Sequence, residues 1–228
     1  MRIALFGGTF DPPHRGHVAL ARLARERLSL DRILVAPVAV QPLKHEITPT
    51  SFDDRIAMAR LAFAGELGVE ISLLDAPRPD GRSNYTIDSL ASLRQQLKPA
   101  DTLFCILGAD SFLTIGNWHR PADLLMMCDF IVGARPGFDL TRTQAALPKG
   151  LTAKSLPTDL PNTQLLELRK HETEAAQPPS HLYLLMDLAE DVSATEIRAA
   201  LHGHTGATRV LNPRVARYIR EHHLYAHL

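Results

Sequence analysis

At 228 residues the chain is long enough to bury a substantial core, and 25 basic side chains are balanced by 25 acidic ones. That balance gives no global nucleic-acid signal, and 45% hydrophobic with 22% charged residues is an ordinary globular composition. Two scattered cysteines, Cys105 and Cys128, suggest a reducing compartment, and the short apolar run before the first glycine is too brief for a secretory signal core or a membrane span. The expectation is a cytoplasmic protein of one domain, residues 1–228, with a small-molecule partner and with neither nucleic acid nor membrane. Homo-oligomerisation stays open.

Ile3, Ala4, Leu5 and Phe6 form an apolar run suited to a strand buried on both faces. Gly-Gly-Thr-Phe-Asp-Pro-Pro-His-Arg-Gly-His follows at residues 7–17, and then Leu20, Ala21, Ala24 and Leu28 recur at helical spacing opposite Arg22, Arg25 and Glu26. A helix beginning near Arg15 to His17 would present free N–H groups and a positive dipole end to an anion, with Gly7, Gly8 and Gly16 keeping the approach open. His14 and His17 are three residues apart, so on a first helical turn both rings point the same way and can donate to phosphate oxygens. A plain Gly-Gly and Asp-Pro turn is the bland alternative, but a turn needs no histidine pair at that spacing. Neither the P-loop pattern nor the Gly-x-Gly-x-x-Gly of dinucleotide-binding units is present.

Further strands are predicted at Ile33 to Ala36, Val69 to Ser72, Thr102 to Leu107, Phe130 to Val132 and Leu182 to Met186. Phe52, Ile56, Ala59 and Phe63 make one helical stripe, and Ile87, Leu90, Leu93 and Leu97 another. The alternation predicts an α/β fold with a doubly wound parallel sheet and C-terminal helices, the last started by Asn212 and Pro213, and with ligands bound beyond the strand ends. Residues 137–180, with Pro148, Pro157, Pro161, Pro178 and Pro179, show little sustained periodicity and read as a long excursion. Ser193 and Glu196 have the spacing of a capping box at a further helix start, where Thr195 adds a hydroxyl and Arg198 a guanidinium suited to phosphate. The five histidines from His202 to His227 follow no recognised ligand spacing and read as a solvated tail, so no metal site is expected.

The residue 7–17 stretch resembles the signature of the nucleotidyltransferase superfamily, and most closely that of nicotinate-nucleotide adenylyltransferases. The resemblance implies a Rossmann-like nucleotidyltransferase fold and an ATP site at Gly7, Gly8, Thr9, Phe10, His14 and His17, the two histidines binding the phosphates and stabilising the transition state. Ser193-Ala194-Thr195-Glu196-Ile197-Arg198 is similar to the family's Ser-(Ser/Ala)-Thr-x-x-Arg element, which implies ATP contacts from Ser193, Thr195 and Arg198. Gly108-Ala109-Asp110 matches the element that holds the adenosine ribose, with Asp110 the candidate carboxylate and Gly108 its neighbour.

Tyr85-Thr86-Ile87-Asp88-Ser89-Leu90 looks like the element whose Tyr-Thr pair borders the nicotinate ring, although Thr86 could instead simply cap a helix. Trp118 falls where the family places an aromatic stacked on the pyridine, a residue that on its own reads equally well as core. Arg135 corresponds to the arginine of an Arg-Pro-Gly turn that contacts a nucleotide phosphate, or else to a solvent-facing strand end. Lys44 resembles the lysine of a Pro-His-Lys element, implying a catalytic and nucleotide-binding role. The chain departs from the pattern at Leu43 (in place of His), Gln41 (often Asn) and Asn84 (commonly Ser).

The implied reaction is transfer of AMP from ATP to nicotinate mononucleotide, giving nicotinate adenine dinucleotide and pyrophosphate, with Mg²⁺ carried on ATP and His14, His17, Lys44 and Arg198 as the catalytic set. The alternatives are another transferase of the superfamily, acting on phosphopantetheine, nicotinamide mononucleotide or a cytidylyl acceptor, and a binding module without chemistry.

Overall fold

The computed structural model describes residues 1–39, 50–134, 140–170, 178–189, 192–202 and 207–225. Their elements run β1 (Arg2–Gly8), α1 (Arg15–Leu28), β2 (Arg32–Pro37), α2 (Phe52–Ala62), β3 (Val69–Ile71), α3 (Thr86–Gln96), β4 (Thr102–Gly108), α4 (Ala109–Phe112), α5 (Pro121–Leu125), β5 (Asp129–Gly133), α6 (Leu140–Ala145), β6 (Leu151–Leu156), β7 (Thr163–Lys170), β8 (Ser180–Leu185), α7 (Ala194–His202) and α8 (Pro213–Glu221). The strands make one sheet in the order β3-β2-β1-β4-β5-β8-β7-β6. The run from β3 to β8 is parallel, and the β6–β7 hairpin continues the sheet antiparallel beyond β8.

Alternation along β1 shows why the sheet is wound on both faces. Ala4 and Phe6 enter a cluster with Leu20 of α1, Met58 of α2 and Val215 of α8, whereas Ile3 and Leu5 enter another with Leu90 of α3 and Leu124 of α5. Helices therefore cover both sides of each central strand, as parallel pairing through helical crossovers requires. The strand order reverses at β1, between β2 and β4, so the β1–α1 loop opens at the switch point where such sheets bind ligands. Among the described residues no helix is long and apolar enough to cross a membrane.

The stretch read as an unpatterned excursion differs from that reading, since it carries α6 and the β6–β7 hairpin. Leu166 and Leu168 are buried on one face of β7 at a spacing of two, which is a strand signal. The prolines that obscured it lie between the elements: Pro148 precedes β6, Pro157 and Pro161 fall in the hairpin connection, and Pro178 and Pro179 precede β8. Elsewhere α1 starts at Arg15, and the Asn212 side chain caps α8 by accepting the Arg214 N–H at 2.9 Å ahead of Pro213.

Gly68, just before β3, sits at φ +70, and a Cβ there would lie 2.8 Å from the Asp31 carbonyl oxygen. That oxygen belongs to backbone already fixed by the Asp31 N–H to Arg2 carbonyl bond at 2.8 Å, so it cannot yield easily. Gly68→Ala should cost roughly 1–3 kcal/mol of stability, read as a lowered denaturant midpoint at unchanged slope. A midpoint equal to the parent's would contradict the strain.

Candidate active site

The β1–α1 loop is anchored from below by Phe10, which adopts φ 51 and is only 1% exposed. Its ring meets Phe6 edge-on at 5.3 Å, Phe63 at 6.2 Å and the His17 ring at 4.9 Å. The Phe10 side chain is therefore part of the core beneath the loop. A Cβ on Gly8 would approach the Phe10 ring to 3.1 Å, which explains the glycine between strand and loop.

His14 is the N-cap of α1 and His17 lies on its first turn, with ring centroids 3.8 Å apart. The His14 backbone N–H donates to His17 Nδ1 at 3.2 Å. Because Nδ1 accepts, a neutral His17 must carry its proton on Nε2, leaving that N–H to be offered to a ligand. Burial, and then the neighbouring His14 ring, hold the His17 pKa well below the ordinary histidine value of 6.5.

As pH falls through about 6.5 the unfolded chain protonates this side chain while the folded state resists, so stability present above that pH is lost toward acid. Urea midpoints should decline between about pH 7 and pH 5, and less steeply in His17→Gln. Equal declines in both proteins would contradict a neutral His17.

The second predicted phosphate element reaches the first across the fold. At the start of α7 the Ser193 hydroxyl accepts the Glu196 N–H at 3.1 Å, and Glu196 accepts the Ser193 N–H at 3.1 Å, completing the predicted capping box. One turn on, Arg198 donates to the Asp11 carbonyl at 2.7 Å and to the Thr195 hydroxyl at 3.3 Å. Arg198 thus joins α7 to the loop that carries the histidines. Asp110, exposed on α4 at the carboxyl end of β4, shares this edge of the sheet because β4 pairs with β1.

Tyr85 is the N-cap of α3 and Thr86 its first helical residue, so Thr86 is not the cap. The Tyr85 ring stacks on His119 at 4.3 Å between centroids, directly after half-buried Trp118, whose indole N–H reaches the Thr114 hydroxyl at 3.4 Å. A cavity of about 280 Å³ opens beside Tyr85, between the 74–79 loop and α3. Asn84, a departure from the family pattern, donates to the Ala76 carbonyl at 3.0 Å and so ties that loop down. Lys44 and Arg135, together with Leu43 and Gln41, lie outside the described residues.

Several supporting groups carried no signal in the sequence. Arg55, 1% exposed, donates to the carbonyls of Thr9, Val38 and Thr50 at 3.0, 2.6 and 2.9 Å. Asp11, 4% exposed, accepts the hydroxyls of Thr50 and Tyr225, each at 2.5 Å. Ser89 of α3 donates to buried Asp75, whose pKa burial raises. The two cysteines are buried and unpaired, and burial pushes the Cys105 thiol up to about 12 and the Cys128 thiol well above its ordinary range. His222 stacks on Tyr218 at 4.0 Å, and among the described residues no three His, Cys, Asp or Glu side chains converge on a metal position.

The Cytidylyltransferase-like family model matches residues 5–200. The probable nicotinate-nucleotide adenylyltransferase of Pelobacter propionicus is 36% identical over 231 residues, covering 99% of each chain, and that of Gloeobacter violaceus is 36% identical, covering 98% of this chain and 96% of its own. Plasmodium falciparum nicotinic acid mononucleotide adenylyltransferase, solved in complex with NaAD, shares the fold at a TM-score of 0.68 and 18% identity, over 98% of this chain and 97% of that one. The chain therefore belongs to the nicotinate-nucleotide adenylyltransferase family, among the cytidylyltransferase-like proteins.

Proposed function

We propose that the chain transfers AMP from ATP to nicotinate mononucleotide, and that the adjacent His14 and His17 rings, with Arg198 bonded to the same loop at the Asp11 carbonyl, carry the chemistry. A phosphate oxygen of the mononucleotide attacks the α-phosphorus of ATP. The new P–O bond forms as the bond to the β-phosphate oxygen breaks, and pyrophosphate leaves with the electron pair. No protein nucleophile takes part. A phosphate monoester has its second pKa near ~6 and is already mostly dianionic at neutral pH, so a general base adds little.

What remains for the protein is positioning and charge. The Nε2–H of His17, the His14 ring, the Thr195 hydroxyl and the Arg198 guanidinium surround the phosphates, and Asp110 serves the adenosine ribose. Gly7, Gly8 and Gly108 keep backbone at the strand ends open to the nucleotide. Tyr85, Thr86 and Trp118 border the acceptor ring, a role supported for Tyr85 by its place in the cavity wall, with its ring stacked on His119. The family resemblance adds Lys44 and Arg135 to the phosphate contacts.

Mg²⁺ is assigned to the nucleotide. Asp11, the carboxylate within the loop, is already committed to Thr50 and Tyr225, so the donor set fits an ion held by triphosphate oxygens. Bound there, the ion would offset charge on the leaving pyrophosphate. Both substrates are water-soluble nucleotides, in keeping with a cytoplasmic enzyme.

Purified protein with Mg-ATP and nicotinate mononucleotide should yield nicotinate adenine dinucleotide and pyrophosphate in equal amounts by chromatography. ATP consumed without dinucleotide would overturn the assignment.

A further inference from the structure

After α8 the exposed His222 and His223 are followed by a residue that turns inward. Leu224 N–H returns to the Ile219 carbonyl at 3.0 Å, and Tyr225, held at φ 65, turns its ring inward until only 6% of the residue is exposed. Its hydroxyl donates to Asp11 Oδ1 at 2.5 Å and lies 4.0 Å from Met58 sulfur. The same Oδ1 accepts the Thr50 hydroxyl at 2.5 Å, while Oδ2 accepts the Thr50 N–H at 3.1 Å. Burial and the adjoining carboxylate push the Tyr225 phenol far above its ordinary range, so it stays a donor at any working pH.

Asp11 is joined to the reacting region by its backbone. It sits three residues before His14 in the same loop, and its carbonyl accepts Arg198 Nη1 at 2.7 Å. Wherever Asp11 sits, the guanidinium fork must follow, because one of its edges is spent on that carbonyl. Two hydroxyls from distant parts of the chain fix the carboxylate, and the carboxylate fixes the carbonyl.

We propose that Tyr225 is a positioning residue for the transfer reaction, acting through Asp11 to aim Arg198 at the ATP phosphates. This rests on the transferase reading given above for the acceptor, but not for the ATP half of the site. Nothing requires Tyr225 to touch a substrate. Its hydroxyl closes a tie between the end of the chain and the phosphate loop, 214 residues apart.

The test is a double-mutant cycle on the full chain, with Tyr225→Phe, Arg198→Ala and the pair together. Phenylalanine keeps the ring among its neighbours and removes only the hydroxyl. In the parent background Tyr225→Phe should lower kcat about tenfold, as expected when a phosphate-binding group is misaimed, with the KM for nicotinate mononucleotide within about twofold. In the Arg198→Ala background the same change should cost less than about twofold, because the group that Tyr225 aims is gone. Thr50→Val should reproduce the parent-background loss, and Thr50→Ser, which keeps the hydroxyl, should restore turnover.

Mg-ATP affinity by calorimetry on the same proteins gives a second reading, with a severalfold weakening expected in the parent background and none in Arg198→Ala. If the parent protein prefers another acceptor, the proposed acceptor fails while the calorimetric cycle still decides the role of Tyr225. Equal losses in both backgrounds, or unchanged kcat and ATP affinity in Tyr225→Phe, would overturn the proposal.

Discussion

His17→Ala should lower kcat by about a hundredfold or more, the scale seen when one donor aimed at developing charge is removed. The geometry gives the reason. The His14 N–H occupies His17 Nδ1 at 3.2 Å, which leaves Nε2–H as the only polar hydrogen on the ring and fixes its direction. The lowered pKa favours the neutral ring, and the bond to Nδ1 selects its tautomer. No water or flexible side chain could reproduce a donor already oriented by the helix turn that carries it. Some stability is lost too, because the ring packs on Phe10 at 4.9 Å, so turnover must be referred to folded protein. Near-normal kcat in that variant would remove His17 from the mechanism.

The second large effect is structural and falls on Arg55. Its guanidinium is buried, and its donors go to the Thr9, Val38 and Thr50 carbonyls, gathering the phosphate loop, the end of β2 and the start of α2. Burial lowers its pKa, and the attraction of Asp11 opposes that shift. Arg55→Met would take the guanidinium donors from the half-buried Thr9, Val38 and Thr50 segments and remove the cation near the buried Asp11 carboxylate. Losses of about 3–5 kcal/mol are typical when one member of a buried charged network is deleted, equivalent to a Tm lower by on the order of 10 °C in a chain this size. Calorimetric melting tests this, and a Tm within about 2 °C of the parent would show that the network contributes little.

How much of this was readable beforehand depended on how local each signal is. Ile3 to Phe6, the Leu20, Ala21, Ala24 and Leu28 stripe and the Asn212-Pro213 helix start are properties of short windows, and the structure carries all three. The pairing of His14 with His17 was equally local, since a helical turn brings residues three apart together. The β6–β7 hairpin escaped because prolines in its turns interrupted the pattern before the alternation of Leu166 and Leu168 could register. Thr86 was one position from the cap it was offered as, an ordinary error for a helix end.

The supporting polar groups were out of reach for a different reason. Arg55 lies on a helix whose apolar stripe is legible in the sequence, yet nothing in its window says that the Val38 and Thr9 carbonyls, 17 and 46 residues away, wait for it. Asp11 stood in the signature itself, but its partners are 39 and 214 residues away. Tyr225 lies in a His-rich stretch that suggested solvent. The motif therefore pointed to the phosphate chemistry, while the tertiary bonds that hold the motif in shape emerged only with the fold.

The choice of acceptor is decided by pyrophosphate release under Mg-ATP with nicotinate mononucleotide, nicotinamide mononucleotide and phosphopantetheine compared as kcat/KM. Nicotinate mononucleotide should give the highest value. A higher value for either of the other two would contradict it, keeping the fold and the phosphate cradle but moving the enzyme to a different reaction.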